Sequence, residues 1–173
     1  MDYETHAISR KKLRIFAQFI RLLLGVSFTK PFPVLELLDE LYDFIDKTNY
    51  EVLEDDELPA NIPARCFPDE EGNFTIQIKE SVYSGAQKGI GACRGFIMHE
   101  ICHVFLYKMG FTPIHNRTLK NNSIPAYRSM EWQAKALCGE VMMPYEETIG
   151  LTENEIISKY KVSKGFAQKR LTY

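Results

Sequence analysis

The sequence predicts an α+β domain, and three observations carry that prediction. Two amphipathic helical stretches open the chain, short strand signals cluster between Tyr50 and Glu80, and the remainder returns to helical periodicity. Strands grouped together and flanked by helices give a segregated layout rather than an alternating one. At 173 residues the chain suits one compact core. It reads as a single domain over 1–173, with a short helical hairpin at 152–173.

The first helix runs from Ile8 to Leu24, with Leu13, Phe16, Ala17, Ile20 and Leu24 on one face and basic residues opposite. Pro31 and Pro33 break the chain, and VLELLDELYDFID then makes a second helix with a wet acidic side. Tyr50 to Leu53 is a short strand, followed by the acidic loop EDDELP. Ala64 to Phe67 is a second strand. After the turn DEEGN, NFTIQIKE alternates Phe74, Ile76 and Ile78 with polar residues and is the clearest strand in the chain. From Ala86 to Met109 the pattern is helical, and from Phe96 through Leu106 it is apolar on every face, as in a buried helix. Gly110 stops it, with Pro113 beyond. A polar loop from His115 leads to a helix over Ser129 to Met143, ended by Pro144. Thr152 caps a short helix, and Val162-Ser163 starts the last one.

Composition narrows the function classes. Hydrophobic content of 45%, charged content of 25% and a net charge of −2 are those of an ordinary globular protein with no global attraction to nucleic acid or anionic membranes. Cys66, Cys93, Cys102 and Cys138 form no C-x-x-C pair, which favours a reducing compartment over a disulfide framework. The segment IFAQFIRLLLGVSF follows basic residues, but Gln18 and Arg21 interrupt it and it is too short to span a bilayer. The expectation is a cytoplasmic protein without membrane association.

Chemistry concentrates in FIMHEICHVFLYKMG, Phe96 to Gly110. Residues four apart on a helix share a face, roughly 5–6 Å between Cβ atoms, so His99 and His103 can converge on one zinc ion. Glu100 lies about 100° around the helix from His99. It cannot easily be a third ligand, but it can serve an attacking water as general base and later protonate the leaving amine. By chance, H-E-x-x-H arises in on the order of one chain in a few hundred of this length. Chance matches should fall on exposed segments, whereas this one sits in an apolar helix, where unpaired histidines and a glutamate are expensive to bury. A bound metal removes that expense.

A catalytic zinc has three protein ligands and one open position. The downstream donors are His115, Glu131, Glu140, Glu146 and Glu147. Glu131 opens EWQAKALCGEVMMP, whose stripe of Ala134, Leu137, Cys138 and Val141 should pack on the core, with Ala134 small enough for close helix approach. Glu140 lies two and a half turns further on, so the two cannot readily reach one ion; spacing alone does not choose between them. The simpler reading of Glu131 is a solvated carboxylate at a helix N-terminus.

RGFIMHEICH and EWQAKALCGEVMMP together resemble the ImmA/IrrE-type zinc metallopeptidases. The first follows the family's R-F-T-L-A-H-E-L-G-H, with Arg94 five residues before the first histidine. The second matches E-x-E-A-N-x-F-A-A-E-L-L-M-P at Glu131, Ala134, Glu140, Met143 and Pro144. The resemblance implies that Glu131, 28 positions after His103, is the third ligand. It extends more loosely to NFTIQIKE and to the ending YKVSKGFAQKRL. Cys102 stands where the family prefers glycine, Lys135 where asparagine is common, and Leu137-Cys138 where the family has F-A; Cys102 raises the question of thiolate ligation or redox sensitivity. What the resemblance implies is a small zincin-like domain, its short sheet packed against a buried zinc helix, that cleaves a helix-turn-helix repressor and so switches on a mobile element or a stress response. A strand edge beside the metal would take the substrate as an added strand.

An oxyanion donor should lie near the metal; Tyr127, with Arg128 and His115, stands in the loop before Glu131. The tail EIISKYKVSKGFAQKRL, basic and shaped like half a helix-turn-helix, supports a rival expectation of a repressor- or DNA-binding module with a structural metal. Against it, one short basic pair in a chain of net charge −2 is a thin electrostatic footprint. A third expectation is a toxin or antitoxin component that acts by binding alone. Glu100 discriminates, because a structural site has no use for a base beside an open position.

Overall fold

The computed structural model describes residues 2–114 and 124–173. Eight α-helices surround one mixed sheet among these residues. Helix α1 is Arg10–Leu23, capped by the Ser9 side chain accepting from the Lys12 N–H. Its inward face is Leu13, Ala17 and Ile20, as the sequence predicts, but its cations do not all face water. Arg21 is fully buried, donating through Nε to the Val141 carbonyl at 2.6 Å and through Nη1 to those of Ser27 and Lys30. Ile15, Phe19, Leu22 and Leu23 are left exposed instead. A guanidinium outbids an isoleucine for the interior when carbonyl oxygens wait for it there.

The expected single helix after Pro33 is two: α2, Val34–Asp39, and α3, Leu41–Phe44. Between them Glu40 bends the backbone to φ −91°, ψ 3°, while Leu37, Leu38 and Leu41 still pack inward. Strands β1, Thr48–Leu53, β2, Ala64–Pro68, and β3, Phe74–Lys79, form a sheet in the order β1-β3-β2, with β1 parallel and β2 antiparallel to β3. Phe74, Ile76 and Ile78 point into the core. The β2–β3 turn is closed by Asp69, whose Oδ1 accepts from the N–H groups of Glu71 and Asn73.

The helical pattern expected from Ala86 onward also divides. Helix α4 is Glu80–Gln87 and α5 is Gly91–Lys108. Gly89, at φ +80°, turns the chain between them where an L side chain would be strained. Helix α5 is the centre of the molecule: Ile97, Met98, Ile101, Cys102, Val104 and Leu106 are all buried. It stops at Gly110, φ +90°. Helix α6, Met130–Met142, is capped by Ser129 and packs Ala134, Leu137, Cys138 and Val141 at zero exposure. The C-terminal hairpin is α7, Glu153–Tyr160, opened by a capping box of Thr152 and Glu155, and α8, Lys164–Arg170, capped by Ser163. No helix among the described residues is long and apolar enough to cross a membrane.

Candidate metal centre

Two helices bring the candidate ligands together. His99 and His103 project from one face of α5, their Nε2 atoms 3.1 Å apart. Glu131, in the first turn of α6, reaches them from the facing helix, with Oε2 3.4 Å from the His99 Nε2 and Oε1 3.4 Å from that of His103. Its position depends on an N-terminal strap that the sequence did not announce. The Met130 N–H donates to the Tyr3 carbonyl at 3.0 Å, and Asp2 accepts from the Ser129 hydroxyl at 2.7 Å and the Glu131 N–H at 3.2 Å.

These separations are those of a metal site. Donors in tetrahedral array at about 2.0–2.1 Å from a zinc ion stand about 3.3 Å from one another; the two Nε2 atoms are 3.1 Å apart, and each lies 3.4 Å from a different oxygen of Glu131. Two imidazole nitrogens and a carboxylate are also a donor set that zinc accepts. The trio could therefore hold a metal ion. Hydrogen bonding to His103 and His99 holds the Glu131 carboxyl far below the usual carboxylate range, so it is an anion facing the two rings.

Glu100 follows His99 around the helix and lines the same cleft. Burial raises its carboxyl above the ordinary value, while the neighbouring His99 and His103 and a hydrogen bond with Cys66 act in the opposite sense. Burial, then the neighbouring Glu100, pushes the Cys66 thiol well above its usual range, so Cys66 stands there as a neutral thiol. The cleft, about 900 Å³, runs between β2 and the ligand trio, with Arg65, Cys66, Tyr3 and Tyr107 among its walls. Strand β2 is the sheet edge on this side, paired with β3 on its other flank.

The remaining candidates are distributed as follows. Glu140 is 1% exposed and faces away from the trio, holding Arg10, Arg14 and Arg170 at 3.1 Å each. Glu147 pairs with Lys159, and Glu146 accepts from Gln18. His115 lies outside the described residues. Tyr127 sits in a single 3-10 turn, half exposed, and is not among the residues lining the cleft; Arg128 is paired with Glu4. Cys102 is buried beside Cys138, its thiol pushed up by burial, and contributes nothing to the trio. Arg94 donates to the carbonyls of Lys161 and Phe32, tying α5 to the hairpin turn.

Cys66, Tyr3 and Tyr107 escaped the sequence reading. For Tyr107 a signal exists: it stands four residues after His103, on the same helix face. For Cys66 and Tyr3 none exists short of the tertiary fold.

Residues 93–172 match the IrrE N-terminal-like domain of the Peptidase M78 family. That part of the chain is similar to an ImmA/IrrE-type domain. The matched segment spans α5 from just before Arg94, all of α6 and the C-terminal hairpin, so it includes His99, Glu100, His103 and Glu131. The sheet and α1 precede it. No curated protein matches the chain significantly.

Proposed function

We propose that this protein is a zinc-dependent endopeptidase, with His99, His103 and Glu131 as metal ligands and Glu100 as general base. One observation carries the reading: two imidazole Nε2 atoms 3.1 Å apart on one helix, each 3.4 Å from a different carboxylate oxygen of Glu131 on the facing helix, with the half-buried carboxyl of Glu100 next to them in an open cleft. Zinc held by the trio would supply Lewis-acid polarisation of the scissile carbonyl and of the attacking water. Glu100 takes a proton from that water as its oxygen bonds to the carbonyl carbon. It returns the proton to the amide nitrogen as the C–N bond breaks. Low polarity around Glu100 strengthens its basicity.

An extended peptide laid beside β2 would satisfy that strand's free backbone groups and cross the trio, which favours a protein substrate. A helix-turn-helix repressor is the substrate the family resemblance favours, and the acidic loop over 54–58 suits a basic partner. The rival reading, a nucleic-acid or repressor module, has less support. Of the tail's cations, Lys159, Lys164 and Arg170 are already paired with Glu147, Glu153 and Glu140.

The test uses two readouts. Glu100→Gln should keep about one zinc per chain while cleavage of a cognate repressor falls by about 10²–10⁴-fold or more. Glu131→Ala should lose the metal itself. Undiminished cleavage by Glu100→Gln would sink the mechanism, and a zinc-free wild-type chain would sink the site.

A further inference from the structure

A second hollow shares His99 with the cleft. It encloses about 380 Å³, within the ~300–1,000 Å³ usual for ligand pockets. Phe96, Met143 and Phe166 give it apolar walls, contributed by α5, the end of α6 and α8.

Two glycines explain why the space is there. Gly139 in α6 and Gly165 in α8 both border it, and a Cβ built on either would meet no atom within 4 Å. Glycine within a helix costs about 1 kcal/mol relative to alanine. Elsewhere close packing accounts for that cost: a Cβ on Gly85 would lie 2.5 Å from the Cys93 sulfur, and one on Gly91 2.4 Å from the Val162 backbone. At Gly139 and Gly165 neither a positive φ nor a close neighbour excludes a side chain. Gly139 is half-buried and Gly165 exposed at the rim, so the missing side chain of Gly139 leaves part of the hollow and that of Gly165 leaves its edge open.

Charge selects what can enter. Arg10 and Arg170 line the hollow and share Glu140 with Arg14, three guanidiniums against one carboxylate. Arg170 is 4% exposed, and its Nε has no acceptor among the described residues. Lys169, at the mouth, has no acidic partner among the described residues either. A cationic side chain entering here would meet like charge and leave water. An aromatic or long aliphatic one would exchange water for the apolar walls.

We propose that this hollow is a specificity pocket that accepts a bulky apolar side chain of the substrate beside the scissile bond and rejects a basic one. This rests on the metallopeptidase reading above, because His99 is the wall common to pocket and cleft. The test measures binding to the zinc-loaded protein, by calorimetry, of acetohydroxamate, phenylpropionyl hydroxamate and aminohexanoyl hydroxamate. The phenyl probe should bind about tenfold tighter than acetohydroxamate, or more, a gain of about 1.4 kcal/mol; the amino probe should gain nothing. Gly139→Leu fills the hollow and should erase the phenyl advantage while acetohydroxamate still binds. Gly165→Leu repeats the test from another helix should the first variant fail to fold. Acetohydroxamate binding without a phenyl advantage, or an advantage that survives both fillings, overturns the pocket and leaves the metal reading standing. No acetohydroxamate binding by zinc-loaded wild type overturns both.

Discussion

Glu140 and Glu131 are nine residues apart on one helix and do opposite work. Glu131 is partly exposed, its side chain at 36%, and turned to two histidines; Glu140 is sealed among Arg10, Arg14 and Arg170. Glu140→Gln leaves three guanidiniums without their counter-charge, and breaking a buried pair in this way costs about 3–5 kcal/mol. Arg10 and Arg14 keep some contact with water, side chains 19% and 21% exposed, which puts the loss toward the lower end. Thermal unfolding should show a Tm lower by roughly 10 °C, with zinc content per folded chain unchanged. A variant as stable as wild type would mean that the arginine cluster is solvated rather than structural. At this scale the cluster of His99, His103 and Glu131 was partly legible. Four-residue spacing on an apolar helix marked His99 and His103, but Glu131 and Glu140 could be separated only by the resemblance, since each sits on α6 with carboxylate chemistry alike. The difference lies in which helix each faces, α5 or α1, and one sequence does not state that.

Elements were legible where the pattern was long and periodic. The cores of α1, α5, α6 and β3 stand where the alternation and the helical stripe put them, and the helix caps at Thr152 and Ser163 were readable as cap chemistry. Breaks were less legible. Lys88 to Ile90 continues a helical stripe in composition, yet Gly89 turns with positive φ; glycine permits such a turn without requiring it. Helix docking was hidden too. Gly91 opens α5 where the backbone of Val162 and Ser163 comes against it, so a Cβ would lie 2.4 Å from Val162 C and 2.6 Å from Ser163 N. Gly91→Ala gains helix propensity of up to about 1 kcal/mol, but backbone atoms cannot swing aside as a side chain would. The clash should win, with a net loss of about 1–3 kcal/mol seen in chemical denaturation. A more stable Gly91→Ala protein would mean that the hairpin of α7 and α8 does not dock on α5 as described.

The whole molecule holds its candidate metal ligands on two supports of different kinds. Helix α5 is fixed by its buried residues Ile97, Met98, Ile101, Cys102, Val104 and Leu106, which anchor the helix that carries His99 and His103. The start of α6 is held by its cap, by buried Gln133 and Ala134, and by the N-terminal strap: Tyr3, Thr5 and Ile8 exchange backbone hydrogen bonds with Met130, Arg128 and Tyr127, and Asp2 accepts from the Ser129 hydroxyl and the Glu131 N–H. The strap also lends Tyr3 to the cleft wall. Removing residues 2–7 leaves α1 with its Ser9 cap and its core face intact, so the domain should still fold. What it removes is the outer support of one ligand, a class of contact worth 10–100-fold in metal affinity. Zinc affinity measured against a competing chelator should fall by about 10-fold or more. The rise in Tm on adding zinc should shrink with it, since stabilisation follows the ratio of free metal to Kd. Equal affinity with and without the strap would show that Glu131 is placed by α6 packing alone, and the N-terminal segment would then have no part in the centre.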